Sequence, residues 1–303
     1  MNHLRKLYIS MLAGTFFFLT ACGLADTPVN TTVSPSAEPT LQITSTPAPT
    51  ATNTPTPTEA VVATEAPTAT PEPTATPTPA LTKDDFNAND FFKNSVFAGD
   101  SVLSHFYWKV PFYDKETFGG SEFLVAVSYS AREALKEQSD IHPMYKGEQK
   151  QIWESMKLIE PDRVFLFFGL NDIGVSGVDG FVKNYQTLID NIKTAVPDAK
   201  LYILSTTPMR ADFEKEKGLN NAKITEANGI MQEYCEQNNI GFIDIATMLL
   251  LEDGTLNLDY SDGKTNVHLN KTAYLMWKDV LVDYAKEQLL AEYYESIETG
   301  GTN

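Results

Sequence analysis

Apolar positions from residue 82 onward follow two alternating periods. Short, nearly continuous apolar runs at Ser95–Ala98, Phe123–Val127, Arg163–Phe168, Lys200–Ser205 and Gly241–Ile245 predict five strands. Between and after them lie segments whose apolar residues recur every three to four positions: "KQIWESMKLIE", "VDGFVKNYQTLIDNIKTAV", "NAKITEANGIMQEYCEQNN" and "NKTAYLMWKDVLVDYAKEQLLAEYY". These predict amphipathic helices. Strands that alternate with helices form a parallel sheet covered on both faces. "RVFLFF" and "KLYILS" are apolar throughout, as strands buried on both faces must be. The expectation is an α/β domain of three layers around about five parallel strands.

The first 81 residues follow neither period. Residues 1–22 carry Arg5 and Lys6, then an apolar run too short to span a bilayer, then Leu19-Thr20-Ala21-Cys22. This resembles a bacterial lipoprotein signal, with Cys22 the residue that receives lipid. Residues 23–81 are rich in Thr, Ala and Pro; twelve of the chain's 17 prolines fall between positions 26 and 80. Such a composition cannot bury enough apolar area to offset its ordering entropy, so it reads as a disordered, partly polyproline linker. At about 3.1 Å per residue it would reach on the order of 150 Å. Residues 82–303 form the remaining domain.

Charge narrows the partners. The domain carries 35 acidic against 21 basic side chains. That argues against nucleic acid and against adsorption to anionic lipid. If Cys22 is lipidated, the only other cysteine, Cys235, has no disulfide partner. No cluster has metal-ligand spacing and no glycine-rich phosphate loop is present, so no cofactor or metal is expected.

In open parallel sheets, ligands sit beyond the carboxyl ends of the strands. The loops there read Gly99-Asp100-Ser101, Ser128-Tyr129-Ser130, Gly169-Leu170-Asn171-Asp172 and Thr206-Thr207-Pro208-Met209-Arg210, and then Asp262 and His268 ahead of the last helix. Singly, each has a plain alternative: a serine before a helix is commonly its cap, and Asn-Asp and Asp-Gly are turn chemistry. Together they put a serine, an asparagine, an aspartate and a histidine on one edge of one sheet. His105 and His142 show no comparable setting.

In this order, "FAGDSVL", "FFGLNDIG" and "YSDGKTNVHLNKTAYLMW" resemble the SGNH (GDSL-type) hydrolase superfamily over about Ser95 to Trp277. The resemblance implies a flavodoxin-like fold and a serine esterase or acyltransferase mechanism. Ser101 would be the nucleophile and His268 its base. The Ser101 backbone N–H, a backbone N–H after the second strand and the Asn171 side-chain amide would form the oxyanion hole. Two departures stand out. Where the family offers a glycine after the second strand, the best match here is Ser128; Gly119 and Gly120 precede the strand. Three residues before His268 stands Thr265, not aspartate. Either Asp262 folds back across an insertion to complete a triad, with Thr265 a spacer, or the site is a Ser-His dyad.

The sequence thus reads as a lipid-anchored bacterial esterase on the extracellular face of the cell membrane. Its expected substrate is acylated carbohydrate or another ester, acetyl esters first, and it is expected to act as a monomer. Rival readings are a polysaccharide O-acetyltransferase, a lysophospholipase, and a non-catalytic polymer-binding domain. Phe106, Tyr107 and Trp108, close behind Ser101, could pack in the core or form a sugar platform.

Overall fold

A computed structural model describes residues 80–215 and 217–300. The signal segment, Cys22 and the linker as far as residue 79 lie outside the described residues. Five strands, β1 (Ser95–Gly99), β2 (Ser121–Val125), β3 (Arg163–Phe167), β4 (Lys200–Leu204) and β5 (Gly241–Ile243), form one sheet. Their order is β2-β1-β3-β4-β5 and every pairing is parallel. This is the flavodoxin-like order, with its reversal point between β1 and β3.

Among the described residues, eight α-helices connect and flank the sheet: α1 (Ala88–Phe92), α2 (Ser101–Lys109), α3 (Lys115–Phe118), α4 (Ala131–Ala134), α5 (Ile152–Ile159), α6 (Ile173–Ala195), α7 (Asn221–Gln237) and α8 (Lys271–Glu298). α8 packs against α1 and α2, and α6 packs against α4, α5 and α7. A small antiparallel pair, Met144–Tyr145 with Glu148–Gln149, lies apart from the main sheet. Among the described residues, no helix is long and apolar enough to cross a membrane.

The sheet is held by an aromatic ladder that the parallel register creates. Phe123, Phe97, Phe165 and Tyr202 are lateral neighbours on β2, β1, β3 and β4. Their rings stack at centroid separations of 4.9, 4.4 and 4.8 Å. Phe91 and Phe92 of α1 close over Phe165 from one face. Each stacked aromatic pair adds about 0.5–1.5 kcal/mol beyond its area burial.

Two boundaries differ from the hydropathy reading. β2 starts and ends two residues earlier, because it is the sheet's edge strand: Ser121 and Glu122 belong to it although polar, and Val127 is 69% exposed beyond its end. Helix α6 begins at Ile173, ahead of the apolar repeat, because Gly177 at φ 70° joins a short first turn to the main helix. A left-handed residue breaks the period that a pattern search follows.

Candidate active site

The turn after β1 is built by close approach. Gly99 lies against the Phe167 carbonyl of β3, and a side chain at this position would collide with that oxygen. The next residue, Asp100, is fully buried and caps α2 by accepting the Val102 N–H at 2.8 Å. Burial pushes its carboxyl up to about 7, against the opposing pull of the Val102 and Leu103 N–H groups. Because Asp100 is the cap, Ser101 is the first residue inside the helix and its hydroxyl is released from capping. Ser101 Oγ lies 2.9 Å from His268 Nε2.

The loops after β2 and β3 are tied to this turn and to each other. Asn171 Nδ2 donates to the Tyr129 carbonyl at 3.1 Å and to Asp100 Oδ2 at 3.3 Å. Both of its N–H hydrogens are therefore engaged within the protein, so the side chain braces three segments of the site. Asp172, also buried, accepts the Ala131 and Arg132 N–H groups at 3.0 and 3.1 Å and so anchors α4. Its carboxyl is pushed up to about 6 by burial. The Tyr129 hydroxyl meets His142 Nδ1 at 2.9 Å, while His142 Nε2 meets the Lys136 carbonyl at 3.0 Å. A carbonyl needs an N–H, so Nε2 carries the hydrogen and Nδ1 accepts from tyrosine. His142 is a structural histidine.

Ser128 has φ 58° and is exposed. The resemblance implies a glycine at this position, and the left-handed backbone gives the physical reason: any side chain is strained there by about 1–2 kcal/mol. Among the described residues, no protein acceptor takes the backbone N–H of Ser101 or of Ser128. Both remain available to an oxyanion.

His268 sits on a loop closed by an antiparallel bridge, Ser261 with Leu269, and by the Asp262 N–H donating to the His268 carbonyl at 3.0 Å. Asp262 is thus adjacent to His268, yet its carboxylate accepts from Lys264 N, Thr265 N and Thr265 Oγ1. Among the described residues, neither that carboxylate nor a main-chain carbonyl hydrogen-bonds His268 Nδ1. Thr265 is more than a spacer: its hydroxyl donates toward both Asp262 oxygens and accepts the His268 N–H at 3.0 Å. The Asp262 carboxyl lies below its ordinary value: burial would raise it, but the Thr265 and Lys264 N–H groups outweigh that. The His268 imidazole is held below its ordinary value by burial first, with Lys109 adding and Asp262 opposing.

One neighbour escaped the sequence reading. The ring of His105 lies 4.2 Å, centroid to centroid, from that of His268. The available signal was spacing: Ser101, His105 and Lys109 are four apart on α2 and share one face. Cys235 is free and buried on α7, its thiol pushed up to about 12 by burial, so it is a core residue without thiolate character. Among the described residues, no group of His, Cys, Asp and Glu could hold a metal ion.

A parallel α/β sheet with a Ser-His pair at its carboxyl edge, beside its reversal point, has the layout of a serine hydrolase. Residues 126–275 match the GDSL-like lipase/acylhydrolase family, a span that holds Asn171, Asp262 and His268 and begins after Ser101. The fold is similar to that of a Bacteroides fragilis protein described as an acylhydrolase, at 19% identity and TM-score 0.51, over 65% of this chain and 88% of that one. A GDSL-like lipase from Bacteroides thetaiotaomicron is similar at 17% identity and TM-score 0.50, over 68% of this chain and 94% of that one. No curated protein matches the chain. These findings support the GDSL-like lipase/acylhydrolase family, within the SGNH superfamily, and a serine esterase of the hydrolase class.

Proposed function

We propose that this esterase removes acetyl or other short acyl groups from carbohydrate, working as a lipid-anchored protein on the extracellular face of a bacterial membrane. The observation that carries the chemistry is the 2.9 Å contact between Ser101 Oγ and His268 Nε2. Ser101 attacks the acyl carbon while His268 takes its proton. The tetrahedral oxyanion is met by the Ser101 and Ser128 N–H groups, and Asn171 joins by releasing its longer bond to Asp100. His268 returns the proton to the departing sugar oxygen, and water then resolves the acyl-enzyme by the same route.

Two features support carbohydrate over membrane lipid. Phe106 is core, stacked on Trp277 at 5.0 Å, whereas Trp108, two residues on, is 54% exposed and continues into Phe112 and Tyr113. Exposed, preorganised aromatic faces suit the apolar faces of sugar rings. The chain also enters the domain at the sheet edge opposite the site. The Leu81 carbonyl is held by Tyr294 of α8, two residues past Glu292, which pairs with Arg163 at the start of β3. Attachment through Leu81 therefore leaves the Ser101 end of the sheet unobstructed.

Acetate release from a panel of acetylated glycans, compared with lysophospholipids, tests the substrate. Release from glycans that disappears in Ser101→Ala supports the reading, and turnover of lysophospholipid alone sinks it. Cys22→Ala tests the anchor: the protein should leave the membrane fraction with its ester turnover intact.

A further inference from the structure

We propose that His105 is the positioning residue of the Ser101–His268 pair, its ring holding the His268 imidazole at Ser101 as Ser101 gives up its proton. This rests on the serine-esterase reading above. When Ser101 Oγ–H donates to Nε2, the His268 hydrogen sits on Nδ1. In a triad an acid grips that hydrogen and fixes the ring. Here the Asp262 carboxylate is engaged by its own loop, and among the described residues Nδ1 has no hydrogen-bond partner. Nε2 is held by Ser101, but one hydrogen bond leaves the ring free to rock about that contact.

Against the ring lies that of His105, 4.2 Å away between centroids and tilted by 41°. His105 is one helical turn beyond Ser101 on α2, so one rigid element sets both the nucleophile and the surface on which its base rests. The charged groups acting on the imidazole are Asp262 on its own loop and Lys109 on α2; Arg210, on the loop after β4, is paired with Asp212 and acts on Asp262. Lys109 opposes a positive imidazole and Asp262 favours it. The His105 imidazole lies below its ordinary value: burial lowers it first, then His268 and Lys109, while Asp262 opposes. In the chemical step the Ser101 Oγ electron pair forms the bond to the acyl carbon, the carbonyl π pair moves to oxygen, and the Oγ proton moves to Nε2. The imidazolium this creates lies against the His105 ring.

The test is the pH profile of 4-nitrophenyl acetate hydrolysis by the full chain, about pH 4.5 to 8, for wild type, His105→Ala and His105→Phe. His105→Ala should lower kcat about tenfold with KM within about twofold. Its acid limb should move up toward an ordinary histidine, because the ring that shields His268 from water is gone. His105→Phe keeps a face and should restore kcat to within about threefold, with the acid limb staying low. A His105→Ala enzyme with wild-type kcat and an unmoved acid limb would overturn the proposal, as would a His105→Phe enzyme no faster than His105→Ala. Phosphonate labelling of Ser101 separates the two readings. If wild type labels while the His105 variants behave like it, the esterase stands and the positioning role falls. If wild type fails to label, both fall.

Discussion

At the scale of single residues, the loop from Asp262 to His268 decides how the base is supported. Asp262 acts on His268 through its charge and not through a hydrogen bond, so Asp262→Asn is expected to cost about tenfold in kcat/KM, well short of the about 10⁴-fold of a triad acid. The same change removes the one group that raises the His268 pKa, so the acid limb of kcat/KM should move to lower pH. A loss near 10⁴-fold would show that the carboxylate turns to Nδ1 during turnover. Thr265→Ala should lower kcat roughly three- to tenfold, because the hydroxyl joins Asp262 to the His268 N–H, whereas Thr265→Ser should be near wild type. The sequence showed Ser101 and His268 because strand, turn and helix order placed them on one edge. It did not show the Thr265 hub, since the two-sided bonding of a hydroxyl depends on how a seven-residue loop closes. Nor did it show that Asn171 spends both N–H groups on Asp100 and Tyr129, which are far from it in sequence and come together only in the folded sheet.

At the scale of elements, the site's geometry is inherited from the sheet. β1 and β3 pair residue for residue up to Gly99 and Phe167, so the loops that follow, carrying Ser101 and Asn171, leave the sheet side by side. Phe165 lies mid-way along β3, fully buried between Phe97 and Tyr202 and under Phe91 and Phe92. Phe165→Ala should lower unfolding free energy by about 3–5 kcal/mol in urea titration, and Phe165→Leu should cost less. A loss under about 1 kcal/mol would mean that the ladder is not the sheet's main clamp. The strands themselves were legible because burial on both faces forces continuous apolar runs. The short helices α1, α3 and α4 were not, since segments of four or five residues hold too little of a 3.6-residue period to register; their signals are caps, Asn87, Asp114 and Ser130, rather than patterns.

At the scale of the whole molecule, the buried carboxyls beneath the site couple its construction to global stability. Burial raises Asp100 to about 7 and Asp172 to about 6 in the folded chain, against ordinary values near 4 when unfolded. Between those limits the folded state holds protons that the unfolded state has released. Stability from these two groups is therefore greatest below about pH 4 and is lost as pH rises to about 7. His105 and His268 work in the opposite sense. Their folded pKa values are lowered, so protonation favours the unfolded chain and stability rises as pH climbs toward the ordinary histidine value. The net slope of the wild type mixes both contributions, but a variant separates them. Asn caps helices about as well as Asp, and at position 100 it can still accept the Val102 N–H. Asp100→Asn leaves both histidines in place and removes one raised carboxyl. Urea midpoints at about pH 4.5 and about pH 7.5 should show the variant gaining on the wild type as pH rises, since only the wild type must ionise a buried acid. If the difference between the two proteins is the same at both pH values, Asp100 ionises as an ordinary carboxylate, and its burial beneath Ser101 carries no cost in charge.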